Sequence, residues 1–456
     1  MSSILTASSK PESTMPFQEN KLILVWSMAT LLVVMNTTMF NVALPFIIED
    51  LSLNSSMASW LVSGYSIIFA ISTLTFGRLS DFVPLSRLLL HGIFLFGIAS
   101  VIGFYSTHFL FLLGARILQA AGAGAVMGLS MIMAGRYIPL SRRGKAMAMI
   151  ASAASLAFGL GPVLGGVITQ YLGWKYLFIV TIISVLSIPF FLKLLPKEGI
   201  KKGHFDLYGA ILTGLSVTGL LLYLTTFSYW ILLGTVILFF ICWKYLHKTE
   251  EPFIPPVLLR NKQYTKLLFI NSLAFFLNFS NLFLMPIILT TVLGKGAAEV
   301  GIIIFPGAVI AVVAGVYIGR LIDRFGNAPL IIFGQLLLVS ASFLFAWFST
   351  VNPNYFLFVY MFASVGFTAI SSSISNEITR ILPIEQIGSG IGIAQLMQFF
   401  GAGLGVTITA LLITIQEGLS LEMVYRNIFI CFSLITIMTG FIYGFYLRRA
   451  RLKEES

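Results

Sequence analysis

Charge is what this sequence has least of. Asp, Glu, Lys and Arg together make up 10% of its 456 residues, whereas a soluble domain carries about 25%. That leaves too little polar surface for a fold dissolved in water, so the bilayer is the expected solvent. Cysteine is nearly missing too. Cys242 and Cys431 both fall inside apolar runs, which argues against a structural disulfide and leaves two inert buried thiols as the plain expectation. No G-x-x-x-x-G-K-[ST] stretch is present, so the chain has no Walker-type ATP site of its own and no ATPase partner is implied. His91, His108, His204 and His247 are scattered, and neither a metal-ligand spacing nor a nucleophile elbow occurs. An enzyme reading has nothing to stand on, and no cofactor is expected.

What is abundant is apolar length. A spanning helix needs roughly 20 mostly apolar residues, and fourteen runs qualify: 22–48, 57–79, 87–106, 109–135, 146–170, 174–195, 207–227, 229–246, 267–292, 299–321, 328–349, 355–379, 389–415 and 427–447. Only "SYW" separates the seventh from the eighth. The expected fold class is an all-α integral membrane protein of fourteen transmembrane helices. Of the 28 Lys and Arg residues, 24 fall on one side of that arrangement, and Lys175, Lys295 and Arg426 fall on the other. The positive-inside rule then puts both termini in the cytoplasm. The net charge of +11 becomes a matter of topology, and a nucleic-acid partner is not needed to explain it. The polar first 20 residues precede a run too long for a signal-peptide core, so the N-terminal segment is expected to stay attached.

Two short strings repeat. "GRLSD" at 77–81 ends the second run, and "GRLID" at 319–323 ends the tenth, 242 residues later. "GLG" at 159–161 returns as "GLG" at 403–405. Equivalent places at a nearly constant offset imply a duplicated six-helix unit. The expected domains are a cytoplasmic segment 1–21, a first half 22–195, an inserted helix pair with its connectors 196–266, a second half 267–447 and a tail 448–456. Two related halves are common in secondary transporters, where the site lies near mid-membrane between them and one half rocks against the other.

Four stretches carry chemistry. In "GRLSDFVPLSRLLL" (77–90), Gly77 permits close backbone approach and Asp81 has Arg87 as a nearby cation; its second copy keeps Gly319, Asp323, Arg324 and Gly326. In "ARILQAAGAGA" (115–125), Arg116 sits in mid-helix. That is expensive in lipid, so it must face a cavity or a partner, with Gln119 along the same side; a purely structural arginine satisfied by carbonyls is the bland alternative. In "GLGPVLGG" (159–166), Gly161, Gly165 and Gly166 let another helix approach, and Pro162 breaks one helical hydrogen bond. The first run contains "MNTTMFNVALP" (35–45), polar yet without an acid.

On these motifs the chain resembles the fourteen-span drug:proton antiporter group of the major facilitator superfamily, and within it the Gram-positive tetracycline exporters. The resemblance covers essentially the whole length. It implies a cytoplasmic latch at Gly77, Asp81, Arg87, Gly319, Asp323 and Arg324, an exporter signature at Gly161, Pro162, Gly165 and Gly166, and a proton-coupling role for Arg116. The chain departs from the pattern at its acids. Asn36 or Thr37 stands where the group carries an acid in the first span, and Phe158 and Ala402 stand where tetracycline exporters carry two more. The latch also has Pro84 and Ser86 in place of a glycine and a cation.

None of the 17 acids falls clearly at mid-membrane. A proton antiporter needs a group that takes up and releases a proton, and burial suits carboxylates to the task. Coupling would therefore use Asp81, Glu377 or the surroundings of Arg116. Asn36, Thr37 and Asn41 suit a neutral or anionic ligand better than a cationic, metal-bound one. Gln119, Asn278, Asn281, Gln395 and Gln398 are further candidates for lining a substrate cavity, with an ordinary interhelical hydrogen bond as the alternative for each. The expectation is a multi-pass exporter of the cytoplasmic membrane for hydrophobic or amphipathic small molecules, tetracycline-like drugs included, driven by protons. Export of an endogenous metabolite is the alternative, and a non-transporting receptor or scaffold the rival of another class.

Overall fold

Without water in the hydrocarbon layer, a spanning segment must satisfy its own backbone N–H and C=O groups, and a single apolar run does so as a helix. The computed structural model describes residues 18–454 apart from 81–82, 139, 197, 200–204, 250–251, 255 and 384–386. Asp81 thus lies outside the described residues, and so does the side chain of Asp323. Among the described residues there is no strand, only an isolated bridge between Glu417 and Leu419. In chain order the helices are α1 (Glu19–Asp50), α2 (Ser55–Leu79), α3 (Leu85–Phe104), α4 (Phe109–Tyr137), α5 (Leu140–Tyr171), α6 (Leu177–Ile182), α7 (Ile188–Leu194), α8 (Leu207–Thr226) and α9 (Tyr229–Lys248). They continue with α10 (Pro256–Arg260), α11 (Lys262–Thr291), α12 (Ala297–Phe325), α13 (Asn327–Phe348), α14 (Pro353–Ile381), α15 (Ile387–Thr414) and α16 (Leu421–Glu454).

Thirteen stretches of the described residues are long and apolar enough to cross a membrane. One of them, Trp174–Leu194, is built from α6, α7 and two short 3-10 turns. The difference from the fourteen expected runs lies at α5 alone. It is a continuous helix of 32 residues, but its described apolar part, Leu156–Tyr171, is too short to count as a crossing. Pro45, Pro162, Pro286 and Pro306 sit inside helices without ending them. Asp206 organises one connector. It caps α8 by accepting from Gly209 N at 2.8 Å, and also accepts from the Tyr245 hydroxyl of α9 and from Phe253 N, both at 2.8 Å.

Apolar side chains gain little from leaving lipid for protein, so helix contacts here rest on close packing through small residues. Gly92 of α3 and Gly122 of α4 face each other backbone to backbone: a Cβ on Gly92 would lie 3.0 Å from Gly122 O, and one on Gly122 would run into Gly92 O. Gly334 of α13 and Gly366 of α14 make the same reciprocal contact, at 2.7 and 2.8 Å. These lie 242 and 244 residues further along the chain. Gly161 and Gly165 of α5 press on Thr38 and Met39 of α1, and Gly401 and Gly405 of α15 press in turn on Ser272 and Phe276 of α11.

Two seams join the first set of helices to the second. Along one, α5 meets α12. Gly166 lies on Ala297, Gly301 lies on Pro162 O, and Gln170 Oε1 accepts from Ala298 N at 2.8 Å. Along the other, α2 meets α15 through Gly403 against Ser63 O, Gly392 against Leu74, and Phe69 edge-on to Phe399 at 4.5 Å. The α8–α9 hairpin covers this second seam. Ala210, Cys242, Leu246 and Phe253 pack with Ala70 and Leu74 of α2 and Leu396 of α15 in one apolar cluster.

Gly122→Ala should cost about 1–3 kcal/mol through overpacking and lower the thermal unfolding midpoint of the purified protein. Gly114→Ala, in the same helix but facing open space, should leave the midpoint unchanged. Equal midpoints would mean that the glycine contact does not hold α3 to α4.

Candidate functional site

The polar centre of the first set forms where α1, α2, α3, α4 and the crossing after α5 converge. Arg116, eight residues into α4, is 1% exposed. Its Nη1 donates to Asn36 Oδ1 of α1 and to Gln119 Oε1 one turn on, both at 3.0 Å. Gln119 Nε2 passes the chain on to Ser100 Oγ of α3 at 2.8 Å and to Thr181 Oγ1 of α6 at 3.2 Å, and Thr181 also donates to Ser100 at 2.8 Å. The guanidinium lies over the ring of Phe40 and over that of Tyr65, each 4.1 Å from its carbon.

These contacts decide how the charge is tolerated. An arginine at mid-bilayer costs about 3 to more than 10 kcal/mol, depending on how freely it can reach water. Hydrogen bonds to a charged group contribute roughly 1.5–3 kcal/mol each, and a desolvated cation over a ring roughly 2. The cage therefore offsets most of the cost by solvating the ion. It does not neutralise it. Among the described residues Tyr65 is the only ionisable group that interacts with Arg116.

From this cage a file of rings leads across the α2–α15 seam. Tyr65 stacks on Phe69 at 5.9 Å, Phe69 meets Phe399 of α15, Phe399 meets Phe275 of α11 at 6.1 Å, and Phe275 meets Phe367 of α14 at 5.0 Å. Buried polar atoms without a partner lie on two helices: both ends of the Asn41 amide on α1, and both ends of Asn271, the Ser280 hydroxyl and Asn281 Oδ1 on α11. Of the residues singled out from sequence, Asn36, Arg116 and Gln119 come together directly. Thr37 and Asn41 are buried one turn apart on α1. Asn278 of α11 and Gln395 and Gln398 of α15 are half-buried. Sequence reading missed Phe40, Tyr65, Ser100 and Thr181. The one signal available was a hydroxyl in an apolar run, as for Ser100 in "GIASVIG".

Against known proteins, the family model described as the Major Facilitator Superfamily matches residues 26–406, and again 267–456. The chain belongs to the Major Facilitator Superfamily. It is 28% identical over 414 residues to the multidrug efflux pump SdrM of Staphylococcus aureus, covering 87% of this chain and 90% of that protein. It is 27% identical over 368 residues to the riboflavin transporter RibZ of Clostridioides difficile, covering 77% and 79%. Among solved structures, a bacterial homolog of the human lysosomal transporter Spinster, in an inward-facing and unoccupied conformation, superposes with a TM-score of 0.69 at 14% identity, over 96% of this chain and 98% of that one.

Within this Major Facilitator Superfamily chain the two glycine motifs behave differently. Gly161, Gly165 and Gly166 sit at close helix approaches, whereas Gly77 and Gly319 do not: among the described residues a Cβ on Gly77 would meet only Ile132 at 3.8 Å, and one on Gly319 nothing. Close approach is therefore not what Gly77 supplies in this conformation. Arg87 and Arg324 are exposed, and Arg324 lies over the Phe325 ring at 5.1 Å.

Glu377 is near the end of α14, in a polar knot with two other helix ends. Asn327 Nδ2 of α13 donates to its Oε2, and the Tyr446 hydroxyl of α16 donates to Oε1 at 2.7 Å. Asn376 donates to Asn327 Oδ1 at 3.0 Å, and the largely exposed Arg380 reaches Glu377 at 3.5 Å. A matching knot ties the first set. Arg136 at the end of α4 donates to Ser80 O at 2.7 Å and pairs with Glu198 at 3.6 Å, while Glu198 accepts from Leu85 N at the start of α3 at 2.8 Å. Burial first, and Glu198 second, push the Tyr137 hydroxyl beside it well above the usual phenol range. Both knots fasten helix ends rather than line the ring file.

Glu377→Ala leaves Asn327 and Tyr446 without their acceptor. It should cost about 1–3 kcal/mol, seen as lower yield and a lower unfolding midpoint, with transport per folded molecule retained. A Glu377→Ala protein that is stable but does not transport would make Glu377 part of the working site.

Proposed function

We propose that this chain is a secondary active exporter of hydrophobic or amphipathic small molecules, working by alternating access and proton antiport in the cell membrane. The observation that carries this reading is the Arg116 cage: a buried charge, solvated by side chains of three helices, opening onto a file of aromatic rings that spans both sets of helices. Likeness to the multidrug efflux pump SdrM over nearly all of both chains supports drug export. In this reading the chain crosses the membrane fourteen times, α5 included, with both termini in the cytoplasm. The paired glycine contacts at a near-constant offset, and the second family match beginning at 267, support two six-helix halves related by duplication, with α8 and α9 inserted. A substrate pocket would draw on Thr37, Asn41, Asn278, Gln395 and Gln398, with Arg116 and Gln119 coupling its occupancy to the rocking of the halves. Tetracycline is one substrate to try among several.

A second reading is export of an endogenous metabolite. Likeness to the riboflavin transporter RibZ favours it, since stacked rings suit any planar, partly polar molecule. A non-transporting scaffold would have no use for a charge held in this way.

Everted vesicles energised to an acid interior, with a pH-sensitive dye inside, separate these readings. Tetracycline and a lipophilic panel should release protons in the wild type and not in Arg116→Ala at equal abundance. Release by riboflavin alone would select the metabolite reading. Transport of some compound without proton release would remove antiport, and no transport of any compound in either protein would remove the exporter reading.

A further inference from the structure

The Arg116 cage solves only half of the electrostatic problem. It surrounds the ion with dipoles and ring faces, but no carboxylate of the described chain reaches it, and Tyr65 is its only ionisable neighbour. Two further donors point the same way. Arg116 Nε is buried with no partner, although it carries a hydrogen that a desolvated guanidinium has to place. The Tyr65 hydroxyl, which lies nearest to Thr37 and Asn36, is also buried without a partner at hydrogen-bond distance. One fixed positive charge and two unused donors, closed off above and below by aromatic rings, make a site with no need of a further donor or cation. It needs an acceptor that carries negative charge.

We infer that the Arg116 cage is an anion site, completed by a carboxylate, sulfonate or phosphate group on the transported molecule, whose ring system lies along Tyr65, Phe69 and Phe399. This rests on the exporter reading for the word transported, but the anion site itself does not depend on it. It also gives a reason for the missing acid in the first span. A built-in aspartate at position 36 would stand where Asn36 Oδ1 now accepts from Nη1 at 3.0 Å and would satisfy the charge before any ligand arrived. Asparagine keeps the hydrogen bond and leaves the charge uncompensated. An anion taken up in this way is neutralised while it occupies the site, because Arg116 stays in α4 and the ion pair exists only there.

The test uses two probes with the same rings: 8-anilinonaphthalene-1-sulfonate, which is anionic, and N-phenyl-1-naphthylamine, which is neutral. Each is titrated into liposomes holding the full-length protein, against protein-free liposomes of the same lipid. The wild type should bind the sulfonate tighter than the neutral probe by at least about tenfold, as a charge-assisted contact implies. Asn36→Asp, which adds the missing counter-charge, keeps the acceptor for Arg116 Nη1 and loses only the 3.5 Å contact from Nδ2 to Gln119 Oε1, should abolish that preference and leave the neutral probe's affinity unchanged. Tyr65→Phe should reduce the preference several-fold. No preference in the wild type, or a preference that survives Asn36→Asp, overturns the anion site. Expulsion of the neutral probe from loaded, energised vesicles is scored separately. If it is expelled but the sulfonate is not preferred, the exporter reading stands and the anion site falls. If the preference follows Asn36→Asp as expected and neither probe moves, the anion site stands and the exporter reading falls.

Discussion

A guanidinium held away from water has to be solvated by whatever surrounds it, and the first set of helices is arranged around that demand. Asn36 from α1, Tyr65 from α2, Ser100 from α3, Gln119 from α4 and Thr181 from α6 are each polar where lipid would favour an apolar side chain, and each is within one or two hydrogen bonds of Arg116 or against its face. Replace the arginine and the other five have little reason to be polar. The cage also fixes distances among five helices at once, because a charge-assisted hydrogen bond weakens quickly when its geometry is lost. Chemistry and packing therefore meet in one group of side chains.

Glycine supplies the rest of the rigidity. Where Gly92 meets Gly122, and where Gly334 meets Gly366, two backbones touch with no side chain between them. Such contacts give little freedom for one helix to slide on the other. The two seams between the sets differ from each other. The α2–α15 seam combines glycines with bulky partners such as Phe69, Phe399 and Leu74, whereas the α5–α12 seam sets Gly166 and Gly301 against backbone, as the contacts within each set do.

Much of this was legible in advance. Apolar run length located the helices to within a few residues, because backbone satisfaction in lipid allows a long apolar run little else. Gly161 and Gly165 were legible as contact points, and Arg116 as a residue that must have partners. The partners were less accessible. Asn36 and Gln119 stood out as polar residues in apolar surroundings, whereas Phe40 and Tyr65 did not, since an aromatic ring in such a run has lipid as its ordinary explanation. The ring file was invisible for the same reason: 41 phenylalanines give no hint which four will line up with Tyr65. Glu377 stood out correctly as an acid near a helix end, but only three-dimensional proximity links it to Asn327 and Tyr446. Gly77 misled on one point, because it read as a place of close backbone approach and among the described residues its Cβ would meet only the Ile132 side chain.

The α8–α9 hairpin makes the molecule lopsided. It lies over one seam only, with Ala210 and Phe253 in the same cluster as residues of both α2 and α15. Parting α2 from α15 means stripping α8 from at least one of them, while at the α5–α12 seam the helix that touches both sides is α1, packed mainly on α5. The α2–α15 edge carries the hairpin and the α5–α12 edge does not, so in the rocking motion proposed above the two edges would resist parting unequally, as the two sides of a door do when only one carries the hinge.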